Sequence, residues 1–288
     1  MMFRSLKQAE SNIGDCDMST KEKRDNALTV ETLITTMNLV DGEELVSKMN
    51  IKQSYIIGNQ CDRNSVEKIN GGLIVSTDMR GVGKNRNSII ERASADICVL
   101  ADDDMVFCDG YEDIVRNCFE RHPEADVIIF NFISESEGRR VAFKDKNIGR
   151  FNYMNYGAAR IAFRRECLAY HSILFNTMFG GGTPHQCGED SLFLNACLRN
   201  KLKIVVVPDA LASLTEDRES TWFKGYTEKY FFDKGVFLAI AHPFLCKLFA
   251  ALLIFRHGEY CSQSKMSRRE VYKAISNGIR YVKKRMVL

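Results

Sequence analysis

The sequence predicts an α/β protein, a mixed sheet flanked by helices and followed by a helical C-terminal extension. Three observations lead there. Short β-rich runs alternate with amphipathic stretches from Leu28 to Phe232, which is the pattern of an α/β sheet. One of those runs, Ile97 to Ala101, delivers three consecutive carboxylates, Asp102, Asp103 and Asp104. Sheets of this class bind ligands beyond the carboxyl ends of their strands, where those acids stand.

Each element has its own local reason. Leu28 to Thr35 alternates and is rich in β-formers, so it reads as the first strand. Asp41-Gly42-Glu43-Glu44 opens a helix with acids in its first turn, where the helix dipole favours them. Ser54–Asn59 and Gly72–Ser76 supply two short strands. Gly81-Val82-Gly83-Lys84-Asn85-Arg86-Asn87-Ser88 is a glycine-containing loop opening a helix, with Lys84 and Arg86 at its mouth. Helix N-termini attract anions, and arginine grips phosphate with two hydrogen bonds. It is not a Walker P-loop, since Gly-x-x-x-x-Gly-Lys-Ser/Thr is absent. The aspartate strand follows, and then Asp109-Gly110-Tyr111-Glu112, whose spacing matches a capping box. Tyr111, Ile114, Val115, Cys118 and Phe119 form one apolar face of the helix it opens.

Val127–Phe132 is a further strand, and the charged stretch from Glu135 to Asn147 is expected at the surface. Phe151 to Gly157 interleaves aromatics with amides, which suits either core packing or the lining of a groove. A glycine-rich loop, Gly180 to Gly188, ends in the acidic pair Glu189-Asp190 at the start of an apolar helix, Ser191–Leu198. An acid in that place can also serve simply as an N-cap. Lys203–Val207 reads as a buried strand ending at a Pro208-Asp209 turn. Beyond Thr221-Trp222-Phe223-Lys224, the apolar segments Gly235–Ala241 and Leu248–Phe255 are each too short to cross a bilayer, which takes about 20 residues. The last helix opens with a capping box, Ser267-x-x-Glu270. Val271, Tyr272, Ile275, Ile279 and Val282 share one face, and its basic residues lie largely elsewhere. Such a helix lies in a membrane interface or packs on its own domain.

Composition narrows the class. The 288 residues are 45% hydrophobic and 27% charged, ordinary for a globular protein with a proper core. Ten cysteines are scattered without any Cys-x-x-Cys pair, so zinc and thioredoxin-like sites are not expected. Buried thiols in a reducing cytoplasm fit better. Residues 1–27 are a polar lead-in without an apolar signal region. The net charge of +3 hides an asymmetry. From Arg256 to Leu288 nine Lys/Arg face only Glu259 and Glu270, leaving the rest of the chain mildly acidic. A basic tail of this kind suits an anionic surface, either nucleic acid or a membrane at its inner face.

Three adjacent carboxylates repel one another, and a hard divalent cation such as Mg²⁺ or Mn²⁺ resolves that repulsion most cheaply. With Asn85-Arg86-Asn87 at a helix start, Ala101-Asp102-Asp103-Asp104 after a strand, Gly188-Glu189-Asp190 before a helix, and Val207-Pro208-Asp209, the chain resembles the family 2 glycosyltransferases of GT-A fold. The likeness covers residues 28–232, with 233–288 as a helical, basic extension. It implies metal-dependent, inverting transfer of a sugar from a nucleotide-sugar, a UDP-sugar above all, to a hydroxyl of a glycan or lipid-linked glycan, as in surface polysaccharide or glycolipid assembly.

By the same resemblance Asp104 is the first metal ligand and Asp102 the second, with the register of the triplet open by one. Asp190 matches the catalytic base, with Glu189 as neighbour or alternate. Arg86 and Lys84 would contact the donor together with Asp102 and Asp103. Thr35, Asn59 and Gln60 stand where the family cradles base and ribose. The chain departs from the family at Thr35-Thr36-Met37-Asn38, where Pro-x-Tyr-Asn is common. It departs again at Asn59-Gln60, which replaces an acid, and after Asp209, where no histidine follows before His242 to complete the metal shell. A sugar nucleotidyltransferase would need a glycine-rich signature at the first strand, which is missing. A non-catalytic sugar-binding relative would not need the acids. Nucleic acid is not an expected partner, since it would explain the basic tail alone.

Overall fold

The computed structural model describes residues 27–52, 54–133, 142–186, 188–215, 225–256 and 263–285. The lead-in up to residue 26, most of the charged stretch after Glu135, and Thr221–Lys224 lie outside them. Ten strands form one sheet. In chain order they are β1 (Val30–Met37), β2 (Tyr55–Gln60), β3 (Ser65–Ile69), β4 (Gly72–Thr77), β5 (Ile97–Asp102), β6 (Met105–Phe107), β7 (Val127–Phe132), β8 (Lys146–Ile148), β9 (Ile161–Arg164) and β10 (Ile204–Leu214). Across the sheet they run β3-β4-β2-β1-β5-β9-β7-β10-β6, with β8 also on β10. β4, β2, β1 and β5 run parallel to one another, so their carboxyl ends line one edge. The first strand brings Thr35 level with Asp102 on one side and with Gly58 on the other.

Alternating side chains divide the core into two layers. Ile34, Ile57, Val99 and Phe130 face α1 (Gly42–Lys48) and α3 (Tyr111–Arg121). Leu33, Ile56, Leu100 and Ile129 face α2 (Val82–Ile90), α4 (Arg165–His171) and α5 (Glu189–Arg199). Asp41 caps α1 as expected, accepting from the amides of Glu43 and Glu44. The capping box expected for α3 does not form: its N-cap is Gly110 at φ +70°, and Asp109 instead accepts from the Asn50 amide.

Two further expectations are corrected. Pro208 does not end its strand. β10 continues to Leu214, and the exposed proline sits where the register with β7 shifts between Val206 and Ala210. A bulge of this kind tolerates a residue with no amide hydrogen. The short strand β9 was not expected from the sequence at all. It runs antiparallel between β5 and β7 and passes directly into α4 without a turn residue to announce it.

The described residues beyond the sheet include α6 (Glu228–Ala241), α7 (Cys246–Arg256) and α8 (Arg268–Arg285). They share a third core that reaches Phe179 and Leu192. The Ser267–Glu270 capping box forms as read. The buried face of α8 is Val271, Ala274, Ile275, Gly278, Ile279 and Val282, whereas Tyr272 is exposed. Gly235 of α6 and Gly278 of α8 let the two backbones meet. A Cβ on Gly278 would lie 2.0 Å from the Phe232 carbonyl oxygen, and one on Gly235 the same distance from that of Ile275. No helix among the described residues is long and apolar enough to cross a membrane.

Candidate active site

The triplet Asn85-Arg86-Asn87 organises the site, each side chain reaching a different element. Asn85, fully buried, donates to the carbonyls of Gly58 (2.8 Å) and Thr36 (3.4 Å), fixing α2 to the carboxyl ends of β1 and β2. Asn87 exchanges two hydrogen bonds with the backbone of Phe175. Between them Arg86 donates to Asp102 Oδ1 at 3.0 Å and to Glu189 Oε1 at 3.4 Å, residues 16 and 103 positions away, with its guanidinium over the Phe175 ring. One buried cation thus joins the acidic end of β5 to the acidic start of α5.

Around this cation the carboxylates are held rather than loose. Thr35 donates to Asp102 Oδ1 at 2.8 Å, and Thr36 donates to Asp103 Oδ2 at 2.6 Å. Asp104 occupies the turn between β5 and β6, and its carbonyl accepts from the amide and hydroxyl of Thr215. Glu189 is nearly buried. Burial and then the neighbouring Asp190 push its carboxyl up to about 7, despite the opposing pull of Arg86. Burial would lower the proton affinity of Arg86, but Asp102, Glu189 and Asp190 more than offset it. Neither acid caps α5. The N-cap is Gly188, in a positive-φ conformation that favours glycine. Gly180 is confined as well, since a Cβ there would fall 2.7 Å from the Glu189 carboxyl carbon. Asp190 lies beside Gly157, whose Cβ would stand 3.5 Å from Asp190 Oδ2.

The other expected donor-side residues stand at the end of β2 and the start of α2. Asn59 and Gln60 are buried at the end of β2. Asn59 accepts from the Leu39 amide and donates to Ser76, and Gln60 accepts from the Gly81 amide at 2.7 Å. Lys84 is exposed on the first turn of α2. That helix start, expected to receive phosphate, has its Val82 amide bonded to the Gly181 carbonyl at 3.0 Å. In the Phe151–Gly157 stretch, Tyr153 and Tyr156 are core, while Phe151 is exposed.

The anchor beneath the glycine-rich loop was not expected from the sequence. Asp233 of α6, fully buried, accepts from His185 Nδ1 (2.8 Å), the Gln186 amide (3.3 Å) and Lys229 Nζ (2.6 Å). Lys229 also donates to the Pro184 carbonyl. The only signal in the sequence was the i, i+4 spacing of Lys229 and Asp233.

Among the described residues, no three His, Cys, Asp or Glu side chains converge tightly enough to cage a metal ion. Mg²⁺ and its analogues are commonly held by only one or two carboxylates, with substrate phosphates and water completing the shell. Asp102, Asp103 and Asp104 fit that requirement: all are oxygen donors and partly exposed, Asp102 at 39%. The seven described cysteines form no disulfide with one another.

The mixed sheet flanked by helices is of the GT-A type. In fold it is similar to S. aureus TarS. The TarS 1-349 structure matches 74% of this chain and 65% of its own length at TM-score 0.52 and 14% identity. Its complex with UDP-GlcNAc matches 83% and 74% at TM-score 0.55 and 16% identity. The chain spans 44% of a longer TarS structure. No protein-family profile and no curated protein matches the chain.

Proposed function

We propose that the chain is a family 2 glycosyltransferase that moves a sugar, with inversion, from a UDP-sugar to an acceptor hydroxyl and requires Mn²⁺ or Mg²⁺. The observation that carries this reading is the Asp102–Arg86–Glu189 linkage. It brings a strand-end acid cluster suited to a metal diphosphate within one side chain's reach of a helix-start acid pair suited to a base. The TarS complexes with UDP-GlcNAc and with UDP point the choice of donor in the same direction.

In this reading Asp104 and Asp102 would hold the cation, which when bound stabilises the charge of the departing diphosphate. Asp190 takes the proton of the acceptor hydroxyl as that oxygen attacks the anomeric carbon from the face opposite the diphosphate. Glu189 and Asp102 are held in place by Arg86, a positioning residue rather than a phosphate clamp. Thr35 and Thr36 fix the rotamers of Asp102 and Asp103. Lys84, exposed at the mouth of α2, remains the cation assigned to the donor, and Asn59 and Gln60 shape the floor beneath its base and ribose. The acceptor is a glycan or lipid-linked glycan.

The test is a panel of nucleotide-sugars with Mn²⁺ or Mg²⁺, scored for slow donor hydrolysis, beside calorimetry of UDP. UDP is expected to bind at least about tenfold more tightly with metal than with EDTA, and Asp104→Ala to abolish that difference. Equal affinity with and without metal sinks the metal assignment.

A further inference from the structure

Helix α7 is apolar around most of its circumference, and Lys247 and Arg256 are its only charged residues. A helix of that composition is ordinarily buried on all sides. Here Cys246, Ala250 and Ile254 pack into the C-terminal core, while the opposite side stands open. Phe255 is 81% exposed and Leu248 55%, and the preceding turn adds Phe244 at 98%. At about 100° per residue, Leu248, Ala251, Leu252 and Phe255 fill one continuous outer sector, with Lys247 at one border and Arg256 at the other.

We propose that this outer face of α7 docks the protein on an anionic lipid surface, lying in the interface rather than crossing it. Eleven residues are far short of the ~20 a span requires, and an apolar stripe bordered by cations is the form of an interfacial helix. The bordering lysine and arginine reach headgroups while their stems lie along the apolar stripe. Charge selects lipid over a protein partner. α7 carries no acid, and the exposed side of α8 adds Arg268, Arg269, Lys273, Arg280, Lys283, Lys284 and Arg285 against Glu270. α8, the helix that the sequence offers for this role, is not the inserting element, because its apolar face is used against α6.

A chain segment also links α7 to the candidate site. The exposed ring of Phe151 stacks on Phe249 of α7 at 6.4 Å, and the segment it begins ends at Gly157 beside Asp190. A lipid-borne acceptor would reach Asp190 along that segment, a consequence that rests on the transferase reading, whereas the docking does not.

The full chain is to be sedimented with phosphatidylcholine vesicles and with phosphatidylcholine/phosphatidylglycerol vesicles. Beside it go the Leu248→Ser/Phe255→Ser variant and the Lys247→Glu/Arg256→Glu variant, with melting curves, size-exclusion profiles and UDP affinity measured in parallel. The wild type is expected to pellet with the phosphatidylglycerol vesicles. The serine variant should lose at least about tenfold in partitioning with its melting curve unmoved, and the glutamate variant should lose the salt-sensitive part. A wild type that stays in the supernatant with both vesicles overturns the proposal, as does a serine variant that pellets equally well. A wild-type dimer that the serine variant splits, without lipid binding, assigns the face to a second copy of the chain and overturns it too. Vesicle binding without UDP binding would remove the transferase reading and leave the docking surface standing.

Discussion

Arg86 faces two carboxylates that arrive from opposite directions, and its burial strips away the water that would otherwise weaken both attractions. Glu189 bears the cost of the arrangement. Its carboxyl is raised to about 7, so the charged form is disfavoured in the folded protein relative to the unfolded chain. The sign follows: stability is fullest below the unfolded carboxylate value and is lost as pH rises through that window to about 7. Glu189→Gln is therefore expected to match the wild type in thermal melts at pH 5 and to exceed it at pH 8, by on the order of 1–3 kcal/mol. A variant less stable at pH 8 would mean that pairing with Arg86 outweighs burial. The same pair tests the proposed base. Asp190→Asn should lower the transfer rate by about 10²- to 10⁴-fold with donor affinity little changed. If Glu189→Gln is the dead variant and Asp190→Asn stays active, the base is Glu189.

Helices α6 and α8 meet through glycines, and magnitudes decide what a methyl group does there. In an exposed helix, alanine for glycine stabilises by about 1 kcal/mol. At Gly278 the new Cβ would lie 2.0 Å from a backbone oxygen that cannot swing aside, and overpacking of this kind costs about 3 kcal/mol. Gly278→Ala is thus expected to lower the melting temperature, and an unchanged or raised midpoint would show that the helices can part freely. Elements of this kind were legible in the sequence where one physical signal dominated. β7 and the α8 capping box announce themselves by continuous hydrophobicity and by Ser-x-x-Glu spacing. β9 has only four residues and no bounding turn, and β10 passes a proline that ends most strands. In both, tertiary pairing overrides the local signal.

Across the whole molecule the sequence carried the acids and the arginine of the site, because like charges in a row and acids at helix starts are local chemistry. It did not carry their partners. That Arg86 would turn inward to Asp102 and Glu189, or that Asp233 would hold His185 beneath the glycine loop, depends on which elements the fold brings together. The order of the sheet has one more consequence, for the behaviour of many copies at once. One border of the sheet is β3, five residues long with Glu67 and Lys68 on it; the other is shared between the three-residue strands β6 and β8. Short, charged borders give a neighbouring chain little backbone to pair with. Concentrated protein should therefore resist strand-to-strand polymerisation. Glu67→Val/Lys68→Val, which would extend the exposed apolar surface at Val66 along an open border, is expected to bring on thioflavin-positive aggregation under conditions where the parent stays clear.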